Sequence, residues 1–467
     1  MDYDLIVIGS GPAGEKGAAQ AAYFGKKVAL VERGVFCGGA AANTGTLPSK
    51  TLRESALHLS GFQKRQLYGA GLALPPKIGA NLFLRHFRQV RKQERQRIAS
   101  NMSRHNVDIH RGTASFIDAH RIRVAQRDGT AIELHAEVFL IATGTRPNHP
   151  QTYPWHDKRL CESDTILQIR ELPQRLLVIG GGVIGSEYAC IFSALGVDVT
   201  LVDGRPRLMG FLDAEVSRAL ERAMRNMGID FHLGDRVLEL KSGDKLAAVF
   251  ENAAGADFDA VLAASGRAGN TEMLALENVG IEPDKRGLLN VDEHYRTSVP
   301  NIYAAGDVIG FPALASTSME QGRLAMCHAF DLKYKTNLAR ILPLGIYTIP
   351  ECSSAGETEE SLQEKGVPYV VGKADYSNNS RGFIIGDKEG FLKLLFRASD
   401  MKLVGVHCIG EEATDLVHIG LTALLLEQRA DLFIDTCYNY PTLSEMYKYA
   451  AYDALGRAQR GEICQGS

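Results

Sequence analysis

Two glycine triplets stand at the spacing that receives a dinucleotide. Gly9, Gly11 and Gly14 form one G-x-G-x-x-G, and Gly180, Gly182 and Gly185 form a second. The chemistry such a triplet serves is phosphate binding. Its first glycine permits a tight turn, its second lets backbone approach a pyrophosphate, and its third lets helix and strand pack closely. The helix N-terminus beyond turns N–H groups and partial positive charge toward the anion. An acid follows each triplet by eighteen residues, Glu32 after Gly14 and Asp203 after Gly185. A carboxylate placed there can accept hydrogen bonds from ribose hydroxyls. A bare triplet is weak, because the same residues make an ordinary turn. The flanking strand, helix and acid favour nucleotide binding over that reading.

The second triplet carries a conflict. Asp203 favours a free 2′-hydroxyl, as in NAD, whereas Arg205 and Arg207 favour the 2′-phosphate of NADP. Dual use and an NAD site with solvated arginines both remain open on these residues.

The elements that position these groups follow from the pattern around them. Residues 4–33 read strand, glycine turn, helix and strand, and residues 175–205 repeat that order. This is a βαβ unit appearing twice, which implies two nucleotide sites. Residues 85–110 are charged and helix-like, and 113–147 alternate as strands do. After about residue 340 strand-like GFLKLLFRA and LVGVHCIG precede helical segments, a third α+β unit whose last residues, GEICQGS, are expected to fray. The reading is α/β, with two Rossmann-like domains and an α+β C-terminal domain. FAD binding is assigned to 1–150 and 268–340, NAD(P) binding to 151–267 and dimerisation to 341–467. The last three assignments rest on the resemblance described next.

Asp307 ends YAAGD, an apolar strand running into Gly306; alone, such an aspartate is more often a turn former. With Thr297 it matches T-x5-YAxGD, and this resembles the second FAD fingerprint of the pyridine nucleotide–disulfide oxidoreductase family. The stretch ATGTRP, with Thr143 and Gly144, resembles that family's crossover between its FAD and NAD domains, and Gly266 lies in the returning GRAGN. The resemblance covers essentially the whole chain in the family's order. It implies FAD as a cofactor, held partly by Gly38, Gly39 and Asp307.

The family's redox helix reads GGxCxNxGCxPSK. Here Gly38, Gly39, Asn43, Gly45, Pro48, Ser49 and Lys50 match, but Ala41 and Thr46 occupy the two cysteine positions. Cys37 lies four residues before the first of them and is read as incidental, with a substitute thiol as the alternative. In the family's His-Pro-x-x-x-Glu motif, Pro441 and Glu445 are kept and Tyr440 replaces the histidine. A phenol is a poor base at neutral pH, and thiol exchange needs a thiolate. Disulfide chemistry is therefore not expected. Lys50 and Glu187 are kept, and the resemblance implies that they pair near flavin N5, where Lys50 would stabilise negative charge and Glu187 would position it. Taken alone, both would read as solvated surface residues.

A flavin without a disulfide must pass its electrons elsewhere. GRAGNTEMLALENVGI, DVIGFPALAS, GIYTIPE and NYPTLSE resemble the family's flavin-dependent nicotinamide nucleotide transhydrogenase branch, although Ala41 stands where that branch keeps one cysteine. The expectation is an oxidoreductase that moves hydride between NADH/NAD and NADPH/NADP through FAD. A reductase of quinones or other small acceptors, and a non-catalytic nucleotide-binding protein, are the alternatives. The C-terminal resemblance implies a homodimer or higher homo-oligomer.

Composition sets the outer bounds. A net charge of -3 over 467 residues gives no reason to expect nucleic acid or an anionic membrane as a partner. The eight cysteines form no C-x-x-C pair, so neither zinc nor a disulfide framework is expected. MDYDLIVIGSG reads as a first strand, not a signal peptide, and a cytoplasmic protein is expected. His418, on an apolar helix, is read as a core or interface histidine.

Overall fold

The computed structural model describes residues 2–61 and 78–465. Short apolar runs become fully buried parallel strands, as expected where helices cover both faces of a sheet. The run Tyr3–Ile8, in which Leu5, Ile6 and Val7 are fully buried, pairs in parallel with Val28–Glu32 on one side and Ala131–Ile141 on the other. Val28–Glu32 in turn pairs with Asp108–Arg111. The long strand Ala131–Ile141 does two jobs. Its first half pairs antiparallel with Arg121–Ala125, and its second half pairs in parallel with Tyr3–Ile8 and with Ile302–Ala304. That last pairing brings Asp307 to the strand ends beside Gly9, although almost three hundred residues separate them.

A second parallel sheet repeats the arrangement. Its five strands run in the order Asp230–Leu233, Asp198–Asp203, Arg175–Ile179, Ala260–Ala263 and Leu160–Cys161. The C-terminal five-stranded sheet is antiparallel, in the order Leu344–Ile346, Glu351–Gly356, Leu403–Gly410, Phe391–Arg397 and Tyr369–Asp375.

The charged stretch forms one helix, Ala80–Arg104, which buries Phe83, Leu84, Phe87, Ile98 and Met102. It packs beside the helix Thr46–Ser60, and Phe83 meets Phe192 edge-on at 6.3 Å on the helix Val183–Ala194. Each such phenyl contributes about 1.5–3 kcal/mol by leaving water. This apolar joint fixes the two helices that carry Lys50 and Glu187.

A buried ion cluster ties the second sheet to the C-terminal one. The Lys393 ammonium is fully buried; it bonds Asp213 at 2.9 Å and also pairs with Glu215 and Glu359. Among the described residues these are the only three carboxylates or thiols grouped closely enough to hold a metal, and Lys393 already sits among them. The expected fraying at the C-terminus does not extend to Cys464. Its N–H and C=O exchange hydrogen bonds with Tyr369 at 2.9 and 3.1 Å, at the edge of the sheet. Gly466 and Ser467 lie outside the described residues. Among the described residues no helix is long and apolar enough to cross a membrane.

Candidate active site: one cleft and two glycine cradles

Both glycine triplets sit where a strand turns into a helix, and their backbones match closely. Gly9 has φ +102° and Gly180 has φ +106°, a region in which other residues are strained. A Cβ on Gly14 would lie 1.9 Å from the Gly9 carbonyl oxygen, and one on Gly185 would lie 1.8 Å from that of Gly180. The third glycine of each triplet is thus required by strand–helix contact. Gly11 and Gly182 open each helix and meet no close neighbour, so a ligand's phosphates can approach their backbone.

The acids are held differently. Glu32 accepts the backbone N–H groups of Ser10 at 3.1 Å and Gly34 at 2.6 Å, together with the Ser10 hydroxyl. Asp203 accepts the Gly181 N–H at 2.6 Å and the Arg205 N–H at 2.8 Å, and the Arg205 guanidinium grips it at 2.9 and 2.7 Å. Burial pushes the Asp203 carboxyl up, but Arg205 and the two N–H groups outweigh burial and hold it below the ordinary carboxylate range. Arg207 points elsewhere, donating to Glu360 at 3.1 Å and the Gly210 carbonyl at 2.8 Å.

A cleft of about 1250 Å³ joins the cradles. A site for one small molecule occupies roughly 300–1,000 Å³, so this cleft has room for more. Gly9, Gly11, Glu32, Gly39, Thr143, Gly144, Gly306 and Asp307 line one part, and Gly182, Glu187 and Gly266 line another. Gly14, Gly180 and Gly185 stand behind the lining. Gly38 supports it by donating to Ser10, and Asp203 and Arg205 lie outside it. Asp307 accepts a hydrogen bond from Thr145 at 3.3 Å.

Where the two parts meet, the Lys50 ammonium bonds both Glu187 oxygens, at 2.7 and 2.8 Å. Glu187 is almost fully buried and Lys50 about a quarter exposed. Ser49 Oγ and the Tyr347 N–H each donate to the same carboxylate at 3.0 Å, and Lys50 lies over the Tyr347 ring at 5.0 Å. The pair is therefore fixed from three elements, and the surface reading of these two residues does not hold. Ser49 and Tyr347 were not singled out as site residues. A backbone N–H donor leaves no mark in a sequence.

No thiol lines this surface. Ala41 and Thr46 line the cleft, while none of the eight cysteines does, and all eight are described and free. Cys37 is buried beside Ala42 and Ile98, with its sulfur against Arg111 at 3.3 Å. Burial pushes the thiol of Cys161 up to about 11 and those of Cys190 and Cys408 up to about 12, which disfavours thiolates. Tyr440 is exposed, shares a hydrogen bond with Ser380 at 2.8 Å and does not line the cleft of its own chain. His418 departs from the core reading. It is exposed and contributes to the cleft lining beside Val417 and Thr414, because the apolar face of its helix turns the other way.

The residues present fit FAD on two structural counts. The Gly11 backbone is open to a pyrophosphate, and the buried Thr143 Oγ1 and Asn270 Oδ1, both from residues lining the cleft, have no protein partner. Such orphaned polar atoms are costly unless a ligand satisfies them.

Fold and site define a class, an α/β protein with two dinucleotide cradles opening on one cleft. The chain belongs to the pyridine nucleotide-disulphide oxidoreductase family, which it matches over residues 3–322, with that family's dimerisation domain matched over 342–451. It is accordingly a flavoprotein oxidoreductase that uses FAD and nicotinamide nucleotides. It is 43% identical over 461 residues to the soluble pyridine nucleotide transhydrogenase of Mycobacterium tuberculosis, with 98% of each chain covered. To the protein of that name from Pseudomonas putida it is 41% identical over 470 residues, covering 98% of this chain and 99% of the other. Among solved structures it resembles LpdA from Mycobacterium tuberculosis, with a TM-score of 0.88 at 27% identity over 96% of this chain and 99% of the other. It also resembles a HOCl-induced flavoprotein disulfide reductase from Escherichia coli, with a TM-score of 0.86 at 26% identity over 95% and 98%.

Proposed function

We propose that this chain moves hydride between NADH/NAD and NADPH/NADP, as the names of its relatives state for them. The observation that carries the reading is a cleft with two nucleotide cradles and a fixed Lys50–Glu187 pair but no cysteine in its lining. FAD bound there supplies a carrier that takes hydride from one nicotinamide and yields it to another.

The protein's own part is binding, orientation and fixed charge. Gly9 and Gly11, with Glu32, Gly39, Thr143, Gly144, Gly306 and Asp307, would hold the flavin nucleotide, while Gly14 and Gly38 shape the turns behind them. Gly180, Gly182 and Gly185, with Asp203, Arg205 and Gly266, receive the nicotinamide nucleotide. Lys50 presents its ammonium where the two meet, so that negative charge developing there is stabilised without rearrangement. Glu187 acts through Lys50. Its carboxylate, itself held by Ser49 and Tyr347, fixes the ammonium in place. Residues 1–150 and 268–340 form the FAD domain and 151–267 the NAD(P) domain. Residues 341–467 would pair copies into a homodimer or higher homo-oligomer, a reading supported by the dimerisation-domain match over 342–451, and the cytoplasm is the compartment proposed for it.

Stopped-flow mixing of NADPH with the yellow holoprotein tests the role of Lys50. Lys50→Ala should keep its flavin and bleach roughly 100-fold more slowly; unchanged bleaching refutes the role. Turnover of NADPH with an NAD analogue should exceed turnover with a quinone, and the reverse result would make the chain a quinone reductase.

A further inference from the structure

The two glycine units can be compared position by position, because their strands pair in one register. Ala29 lies opposite Asp108 in the first unit, and Thr200 lies opposite Asp230 in the second. Ala29 and Thr200 each stand three residues before the acid, at Glu32 and Asp203. Gly34 therefore corresponds to Arg205, and Ala114 corresponds to Arg236. Both positions are small and uncharged in the first unit, and both carry a guanidinium in the second.

Arg236 is brought to the Asp203 turn by backbone. The Gly234 N–H bonds the carbonyls of Asp203 at 2.8 Å and Arg205 at 3.1 Å, and the Asp235 N–H bonds that of Asp203 at 3.2 Å. The Arg236 side chain then crosses Gly204. A Cβ built on that glycine would meet Arg236 Nε at 2.9 Å and Cγ at 3.3 Å, so a larger residue would displace the arginine. Asp235, its neighbour in sequence, is taken up by the N–H groups of Arg236, Asn252 and Ala253. Arg236 is exposed, and no carboxylate among the described residues pairs with its guanidinium. Arg205 is half exposed but engaged on Asp203. Arg207 is committed to Glu360.

We infer that Arg205 and Arg236 form a 2′-phosphate subsite in a nucleotide site that takes both nucleotides in turn, with Arg205 as its latch. Closed on Asp203, the latch neutralises the acid and leaves a turn that a ribose diol can approach. Opened onto a 2′-phosphate, it joins Arg236, and the dianion meets two guanidiniums while Asp203 keeps its bond to Gly181. Arg207 takes no part. The inference deepens the transhydrogenase reading and rests on it for its use, but the subsite can be probed without hydride transfer.

The holoprotein is titrated by calorimetry with AMP and with adenosine 2′,5′-bisphosphate. The unaltered protein should prefer the bisphosphate, and the preference should shrink as salt rises. Arg236→Ala should weaken the bisphosphate roughly tenfold and leave AMP within about twofold. Arg205→Ala should weaken the bisphosphate further, because it also leaves the Asp203 carboxylate facing the phosphate. Arg236→Lys, which keeps the charge and loses the fork, should fall between Arg236→Ala and the unaltered protein. Equal affinity for both probes, or an Arg236→Ala variant with an unchanged affinity ratio, overturns the subsite. A protein that discriminates the probes yet moves no hydride from NADPH to an NAD analogue overturns the transhydrogenase reading and leaves the subsite standing.

Discussion

The first cradle closes its acid with neutral groups, Ser10 and Gly34, whereas the second closes its acid with a half-exposed guanidinium, Arg205. The glycine geometry is otherwise nearly the same, with φ of +102° at Gly9 and +106° at Gly180. The difference teaches how one duplicated unit can serve two ends. A site for a resident cofactor needs only a rigid acid. A site that exchanges ligands of different charge needs a counter-charge able to change partner. The cradles also differ in anchorage. The first packs its helix Pro12–Tyr23 against Ala315–Ala329, where a Cβ on Gly322 would lie 2.2 Å from the Ala13 carbonyl oxygen. The second is tied to the C-terminal sheet through charge, at Lys393.

Breaking the anchorage should have the largest effect. Lys393→Met strands the Asp213 and Glu359 carboxylates at the joint, and should lower stability by about 3–5 kcal/mol. A denaturant midpoint equal to that of the parent protein would count against a joint held by this cluster.

Gly14→Ala and Gly185→Ala set the two cradles against each other. Each puts a methyl into a carbonyl oxygen and should cost near the top of the roughly 1–3 kcal/mol typical of overpacking. Gly14→Ala should purify colourless, whereas Gly185→Ala should stay yellow but fail to bleach with NADPH. Visible spectra of the two variants check this, and loss of colour in both would erase the assignment of one cradle to each nucleotide.

Asp203→Asn sharpens the comparison through pH. The folded Asp203 carboxyl lies below its ordinary range, so its contribution is complete above the unfolded value near 3.9 and is lost as pH falls through the lower folded value. The variant should be about 1.5 kcal/mol less stable at pH 7. That gap should hold to pH ~5 and close only below pH ~4, as unfolding curves across pH would record. A gap that closes near neutrality would place the effect elsewhere.

Arg207→Ala should do least. Its exchange with Glu360 is a partly exposed pair worth about 0.2–1 kcal/mol, and affinity for both adenosine probes should be unchanged. A selective loss of the bisphosphate would move the phosphate subsite to Arg207.

Much of the fold was legible because its signals are local. Each glycine triplet, its apolar run and its acid lie within about thirty residues, and a turn is decided by the few residues that make it. The site was legible in pieces. Lys50 and Glu187 could be paired only through a family resemblance, since 137 residues separate them and neither carries a local mark. Arg236 was not found. It stands thirty-three residues after Asp203, in a stretch with no periodic or compositional signal. His418 shows a related limit: it stands exposed at the cleft and outside the core, because an apolar helix does not say which of its faces the neighbouring elements cover.

By itself the sequence determined where two glycine turns of the dinucleotide-binding type stand, which residues make each one, and that alanine and threonine occupy the two positions where the family's redox helix carries cysteine. Those properties depend on residue type and short-range backbone geometry alone. The tertiary structure decided that Arg205 and not Arg207 closes on Asp203, brought Arg236 to the same turn, and set Ser49 and Tyr347 to hold Glu187 against Lys50. Parallel pairing sets Leu233 opposite Asp203, and helix packing sets Ser49 opposite Glu187. Contacts of that kind come from burying apolar faces across the whole chain, and no local stretch of residues encodes them.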